Sequence, residues 1–162
     1  MGGSSCTNVL LHHRGSAEDY DKWGIPGWSS KDVLPYFKLT QKDETGRDPE
    51  YHGKNGEWVM NDVPYQNPLS KRFLEVGQTA GLGYNEDFNS WKTPQDGVGR
   101  FQVSEYNGER VSGASAFLSK AMKRKNVTVR TGCMVRKINF DASKTATGVT
   151  YDLVGDDTTV VS

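Results

Sequence analysis

Residues 2–17 read GGSSCTNVLLHHRGSA. Gly2 and Gly3 reach backbone angles closed to other residues and carry no side chain, so a ligand can approach the main chain closely there. Ser4, Ser5, Thr7 and Asn8 add short hydrogen-bonding groups. Together they predict a loop wrapped around something polar. A flexible leader is the competing reading of a glycine-serine start. A leader does not continue as this stretch does: Val9, Leu10 and Leu11 form an apolar run, His12, His13 and Arg14 follow, and Asp19, Tyr20 and Trp23 fall at near-helical spacing.

Outward from that loop, residues 29–44 (SSKDVLPYFKLTQKDE) read as a helix. Ser29 and Asp32 have the spacing of a capping box, Val33, Tyr36 and Phe37 share a face, and Pro35 is tolerable only near the first turn. Residues 43–56 are polar and rich in turn residues, which predicts an exposed excursion. Residues 57–63 (EWVMNDV) form a short strand with Trp58 and Met60 on one side. Residues 67–83 (NPLSKRFLEVGQTAGLG) give the clearest helix, with Asn67 as cap, Pro68 at the first position, Leu69, Phe73, Val76 and Ala80 as its apolar stripe, and Gly81 and Gly83 as its stop.

Residues 87–99 are aperiodic and hold Phe88, Trp91 and Pro94. A strand is expected at 100–106 (RFQVSEY), a turn at Asn107-Gly108, and a helix at 112–125 with Ser112 as cap and Phe117, Leu118, Ala121 and Met122 facing inward. Alternation at Val127 and Val129, then Val135, Ile138 and Phe140, and again Val149, Tyr151 and Leu153, predicts strands closing on a hairpin around residues 141–146 (DASKTA). A loop at the first residue and a strand pattern cut off at 155–162 lead us to expect an internal fragment of a larger α+β or α/β protein.

Twenty basic and 20 acidic residues balance to zero, which leaves no electrostatic footprint for nucleic acid or an anionic membrane surface. The basic run 120–125 sits where a helix would end, and there cations complement the helix dipole. No stretch reaches the ~18 apolar residues of a membrane span. Cys6 and Cys133, the only cysteines, suit neither a disulfide framework nor a metal site. His12 and His13 are adjacent, so in extended chain they point to opposite faces, and with only His52 elsewhere no metal site is expected. A Ser4 or Ser5, histidine and Asp19 constellation lacks the GxSxG elbow, which leaves loop hydrogen bonds as the better reading. Cys6 reads as a small apolar residue before a reactive one. The dinucleotide fingerprint GxGxxG is not among these residues, so a phosphate-binding loop would have to come from elsewhere.

Six stretches carry a family resemblance. They are GGSSCTNVLLHHRGSAEDYDKWG (2–24), PGWSSKDVLPYFK (26–38), YHGKNG (51–56), NPLSKRFLEVGQTAGLGYNEDFN (67–89), DGVGRFQVSEYNGERVSGASAFL (96–118) and NVTVRTGCMVRKINFD with ATGVTYDL (126–153). In this order the chain resembles the glucose-methanol-choline (GMC) FAD oxidoreductases from residue 2 to about 154. GGSSCTNVLLHHRGSA and QNPLSKRF look most like the algal fatty acid photodecarboxylases within that family.

The resemblance implies part of a two-domain flavoprotein fold. Residues 1–51 would belong to the FAD-binding domain, 52–110 to the substrate-binding domain, and 111–162 to the return into the FAD-binding domain. It implies that Ser4, Asn8, Val9, Leu10 and Leu11 contact FAD, and that the main chain of Val135 meets the adenine. Catalytic residues, the phosphate-binding unit and most of a substrate tunnel would lie in the remaining N- and C-terminal segments. A long-chain fatty acid substrate, blue-light decarboxylation to a hydrocarbon and CO2, and a chloroplast location are implied by the algal likeness. An alcohol dehydrogenase or oxidase resembling choline dehydrogenase is the alternative, and a non-catalytic domain retaining only the fold is a third. Phe88, Trp91 and Phe101 could line a tunnel, though ordinary core filling is the better reading of such aromatics.

Overall fold

Short local signals set the helices of this computed structural model, which describes residues 1–154 and the backbone of 160–161. Helix α1 (Ala17–Asp21) starts on a capping box in which Ser16 accepts from Asp19 N–H and the Asp19 carboxylate accepts from Ser16 N–H. Helix α2 (Ser30–Thr40) repeats the device with Ser29 and Asp32 and tolerates Pro35. It ends at Thr40 rather than 44, because residues 41–43 pair as a strand. Helix α3 (Pro68–Thr79) begins where Asn67 accepts from Leu69 N–H.

The chain divides into two compact units, Met1–Lys120 and Ala121–Ser162. In the first unit the strands are short and paired over long sequence distances. Strand β1 (Leu11–His12) runs antiparallel to β6 (Gln102–Val103), with Leu11 opposite Val103. Strands β2 (Gln41–Asp43) and β3 (Trp58–Met60) are parallel, as are β4 (Tyr84–Asn85) and β5 (Val98–Gly99). Strands β7 (Glu105–Tyr106) and β8 (Glu109–Arg110) form a hairpin through Asn107 and Gly108, both at positive φ. The expected strand at 100–106 is therefore two pieces that change partner at Ser104. Its N–H donates to Leu10 C=O, and its hydroxyl accepts from the Trp58 indole.

Three expectations are corrected in this unit. The excursion at 43–56 carries buried Asp43, His52 and Gly53, because polar residues here meet polar partners instead of water. At Gly53 a Cβ would stand 1.8 Å from Lys38 C=O, so only glycine lets the segment lie against α2. The apolar stripe of α3 faces outward, with Phe73 71 % exposed. The helix packs instead through buried Gly77, whose missing Cβ would lie 2.7 Å from a Val98 methyl. Finally, residues 114–118 form a π-helical turn, Ala114–Leu118, followed by the short α4 (Ser119–Ala121). A one-residue change of hydrogen-bond register is invisible to hydrophobic periodicity. Phe117 and Met122 are part-exposed rather than inward, and Phe117 stacks on Trp58 at 6.0 Å.

The apolar core of this unit is small: Met60, Phe88, Val98, Val103, Val111 and Ala116 are buried. Phe88 fills that core and stacks on Phe101 at 5.0 Å.

In the second unit β9 (Cys133–Phe140) and β10 (Ala146–Leu153) form the expected hairpin, joined by a turn at Asp141 whose carboxylate accepts from Ser143 and Thr145 N–H. Strand β11 (Val160–Val161) adds to β10. Residues 127–130 pair with no strand among the described residues, so the alternation at Val127 and Val129 does not mark a strand. The remainder of 155–162 lies outside the described residues.

Candidate cofactor-facing loop

Gly2 takes the left-handed φ of +104° and opens a 3-10 turn, Gly3–Cys6. A Cβ on Gly2 would fall 2.4 Å from Cys6 Sγ, so the turn closes only over glycine. Ser4 C=O then accepts from both Thr7 N–H (3.1 Å) and Asn8 N–H (2.9 Å). The Ser5 hydroxyl donates to Gly2 C=O and accepts from Gly113 N–H (2.9 Å), which ties the turn to the start of the π-helix.

Asn8 governs the next step. Its Oδ1 accepts from Leu10 N–H at 3.1 Å and from the Arg110 guanidinium at 2.6 Å, while the same guanidinium donates to Ser5 C=O at 3.2 Å. The first bond is an Asx turn, and it supports Leu10 at φ +69°, a region that leucine rarely adopts. Leu10 C=O accepts from Ser104 N–H, and Leu11 and His12 enter β1. Val9 is left 77 % exposed and Leu11 48 % exposed. Neither Val9 N–H nor Asn8 Nδ2 has a hydrogen-bond partner among the described residues.

Behind the loop lies a buried polar relay whose directions are fixed at both ends. Arg14 can only donate, and it does so to Tyr51 C=O (2.7 Å), Asn89 C=O (3.2 Å) and Gln41 Oε1. Gln41 Nε2 therefore points to His52 Nδ1 (2.9 Å), which accepts. This places the ring proton on Nε2, where it is donated to Asp87 Oδ2 at 2.7 Å. Asn89 accepts from Arg14 N–H (2.8 Å) and donates to His12 C=O (2.9 Å) and Gln102 Oε1. The relay thus grips the chain at residues 12–14, just beyond the exposed stretch.

Burial lowers Arg14 to about 10, with Asp87 and Tyr20 opposing, so it stays charged at neutral pH. Burial pushes the Asp87 carboxyl up, but the His52 hydrogen bond, with Asn89 N–H and Arg47, outweighs it and holds the group below its usual value. His12 is lowered to about 4 by burial and the Arg14 charge, and its Nε2 is buried without a partner among the described residues. The ring of His13, on the opposite face, meets Phe101 and Phe88 edge-on.

Of the residues named from the sequence, Ser4, Asn8, Val9, Leu10 and Leu11 fall together on one loop. Val135 lies in the second unit on β9, opposite Tyr151 and half-exposed. As an edge strand, β9 turns part of its backbone away from β10. Sequence reasoning missed Arg110 and the relay. An arginine two residues past an Asn-Gly turn carries no motif, and the relay is assembled from positions up to 77 residues apart.

Glycine-hinged backbone, unpaired N–H donors and exposed apolar side chains on one loop suit the face of a planar, acceptor-edged ring system. The profile of the GMC oxidoreductases matches residues 1–162, and the chain belongs to that family. The matched region is the family's FAD-binding N-terminal domain, and its members are FAD flavoproteins. The chain is 43 % identical over 154 residues to the chloroplastic fatty acid photodecarboxylase of Chlamydomonas reinhardtii, covering 93 % of this chain and 25 % of that protein. It is 41 % identical over 157 residues to the oxygen-dependent choline dehydrogenase of Staphylococcus haemolyticus, covering 93 % and 27 %. Pyridoxine 4-oxidase from Mesorbium loti superposes with a TM-score of 0.80 at 30 % identity, over 91 % of this chain and 30 % of that one. The chain thus spans between a quarter and a third of the length of these relatives.

Proposed function

We propose that this chain is the flavin-covering part of an FAD-dependent fatty acid photodecarboxylase, with Ser4, Asn8, Val9, Leu10, Leu11 and the main chain of Val135 as FAD contacts. The observation that carries the FAD reading is the loop at 8–11, where Val9 N–H and Asn8 Nδ2 have no partner among the described residues and the Val9 and Leu11 side chains are exposed. A flavin ring edged with carbonyl and imine acceptors fits that set. The proposed division follows the family: 1–51 with the FAD-binding domain, 52–110 with the substrate domain, 111–162 with the FAD-binding domain again.

The fatty acid is supported by a groove of about 540 Å³ that includes Leu11, Val63, Tyr65, Leu69, Phe73 and Phe101 in its walls. An acyl chain laid there would bury apolar surface now exposed, at roughly 25 cal/mol per Å². Leu11 belongs both to the groove and to the loop, which supports an acyl site beside the cofactor site. When bound, FAD supplies light absorption and one-electron chemistry on the carboxylate. The residues of this chain supply the rest: Asn8 and Val9 N–H bind and orient the ring, Val9 and Leu11 exclude water from its face, and the α3 stripe holds the alkyl tail. A plastid location belongs to the same reading, and so does the need for the remaining segments of the enzyme. Its support is the likeness to the algal enzyme.

The likeness to choline dehydrogenase supports a second reading, hydride transfer from an alcohol to FAD. One experiment separates them. Full-length holoprotein is given palmitate under blue light, and an alcohol in the dark. Light-dependent CO2 release without dark flavin bleaching is expected. Dark bleaching by the alcohol with no CO2 in the light overturns the photodecarboxylase reading.

A further inference from the structure

We propose that Arg110 is a positioning residue that fixes the Asn8 carboxamide as a hydrogen-bond donor, and only a donor, toward the bound flavin; this rests on the FAD reading above. A guanidinium has no acceptor, so the Asn8 atom 2.6 Å from Arg110 Nη1 must be the carbonyl oxygen. Leu10 N–H, also donor-only, confirms the assignment from a second direction at 3.1 Å. With both directions on Oδ1 taken, Nδ2 is the carboxamide atom left for a ligand, and neither it nor Val9 N–H has a partner among the described residues. Arg110 holds this state because its other contact, Ser5 C=O at 3.2 Å, braces the guanidinium against the 3-10 turn.

A free asparagine amide can present either end to a ligand. Here a flip would set Nδ2 against a guanidinium and a backbone N–H, donor against donor, and would lose both hydrogen bonds. The loop is therefore selective for a ring edge that accepts, and it favours added negative charge on that edge. The Arg110 charge, one amide group away, acts in the same direction. Arg110 thus stabilises the reduced, more electron-rich state of the ring relative to the oxidised one, through Asn8 rather than by touching the ring.

The test uses full-length holoprotein and three variants. Asn8→Asp keeps the Asx turn and strengthens the Arg110 contact, but replaces the outward donor by a carboxylate oxygen. Arg110→Met removes the charge and one of the two donors that forbid the flip, and Arg110→Lys retains the charge and one donor. FAD dissociation constants, flavin midpoint potentials and the flavin carbonyl stretch in infrared difference spectra are measured. Asn8→Asp is expected to weaken FAD binding roughly tenfold, the effect of losing one hydrogen bond to the ring, and to lower the potential. Arg110→Met is expected to lower the potential and raise the carbonyl frequency, with Arg110→Lys recovering part of both shifts. A merely structural pin moves stability but not these flavin signals. If the unsubstituted protein retains FAD and the potential and carbonyl stretch stay at its values in Asn8→Asp and Arg110→Met, the positioning role is overturned alone. If the unsubstituted protein retains no FAD, the underlying reading falls and the proposal with it.

Discussion

Replacing Asn89 by alanine removes three hydrogen bonds from a fully buried site. Arg14 N–H loses its acceptor, and His12 C=O and Gln102 Oε1 lose their donor. Each buried group left unsatisfied costs about 1–3 kcal/mol. One water entering the space left behind recovers part of this, so the loss is expected at about 3–5 kcal/mol, the top of the range for single substitutions. Gln102 cannot repair its end by flipping, because its Nε2 already donates to Asp87 Oδ1 at 3.0 Å. The stranded groups belong to the segment just after the exposed loop and to β6, so FAD retention should fall together with stability. The assay is urea unfolding of the full-length protein followed by tryptophan fluorescence, with bound flavin measured by its absorbance after gel filtration. Asn89→Asp serves as the isosteric control: it still accepts from Arg14 N–H but cannot donate to His12 or Gln102, and it should lose a comparable amount. A loss below about 1 kcal/mol in both variants would refute the claim that this relay anchors the loop.

Other outcomes follow from the same geometry. His12 is lowered to about 4 in the folded protein, whereas the unfolded chain takes up that proton near pH 6.5. The native state binds fewer protons between those values, so stability is complete above about pH 6.5 and falls by about 3 kcal/mol as pH drops toward 4. His12→Gln should flatten that slope in urea titrations across pH, leaving the later loss that begins as pH falls through the ordinary carboxylate range and continues below it, to which Asp87 contributes; an unchanged slope contradicts the assignment. Gly53→Ala drives a Cβ into Lys38 C=O and should destabilise by about 3 kcal/mol in thermal unfolding. At Leu10, φ +69° makes valine worse than glycine by about 2 kcal/mol, and equal melting temperatures for the two variants would deny the strained backbone.

What the sequence made legible was local. The Ser29/Asp32 capping box, the Asn67-Pro68 start, the Asn107-Gly108 turn and the β9–β10 hairpin depend on residues a few positions apart, and each stands where its pattern put it. The exposed end of the site was legible for the same reason, since Gly2 to Leu11 carry their own turn chemistry. The buried end was not. Arg14, Gln41, His52, Asp87, Asn89 and Gln102 look like surface residues one by one, and only the folded chain gives each a partner. Two-residue strands such as β1 and β6 contain too little alternation to announce the pairing of Leu11 with Val103 and His12 with Gln102. The stripe of α3 was visible, but periodicity identifies an apolar face without saying what covers it. Small Gly77 decided the packing instead.

The central claim is that residues 4–11 lie against the isoalloxazine ring, and photolabelling reads this contact directly. Full-length protein reconstituted with 8-azido-FAD, illuminated and digested with trypsin should carry the label on the peptide that ends at Arg14, with fragmentation placing it between Ser4 and Leu11. Label confined to other peptides, with the cofactor fully bound and the Arg14 peptide recovered unmodified, would contradict the account.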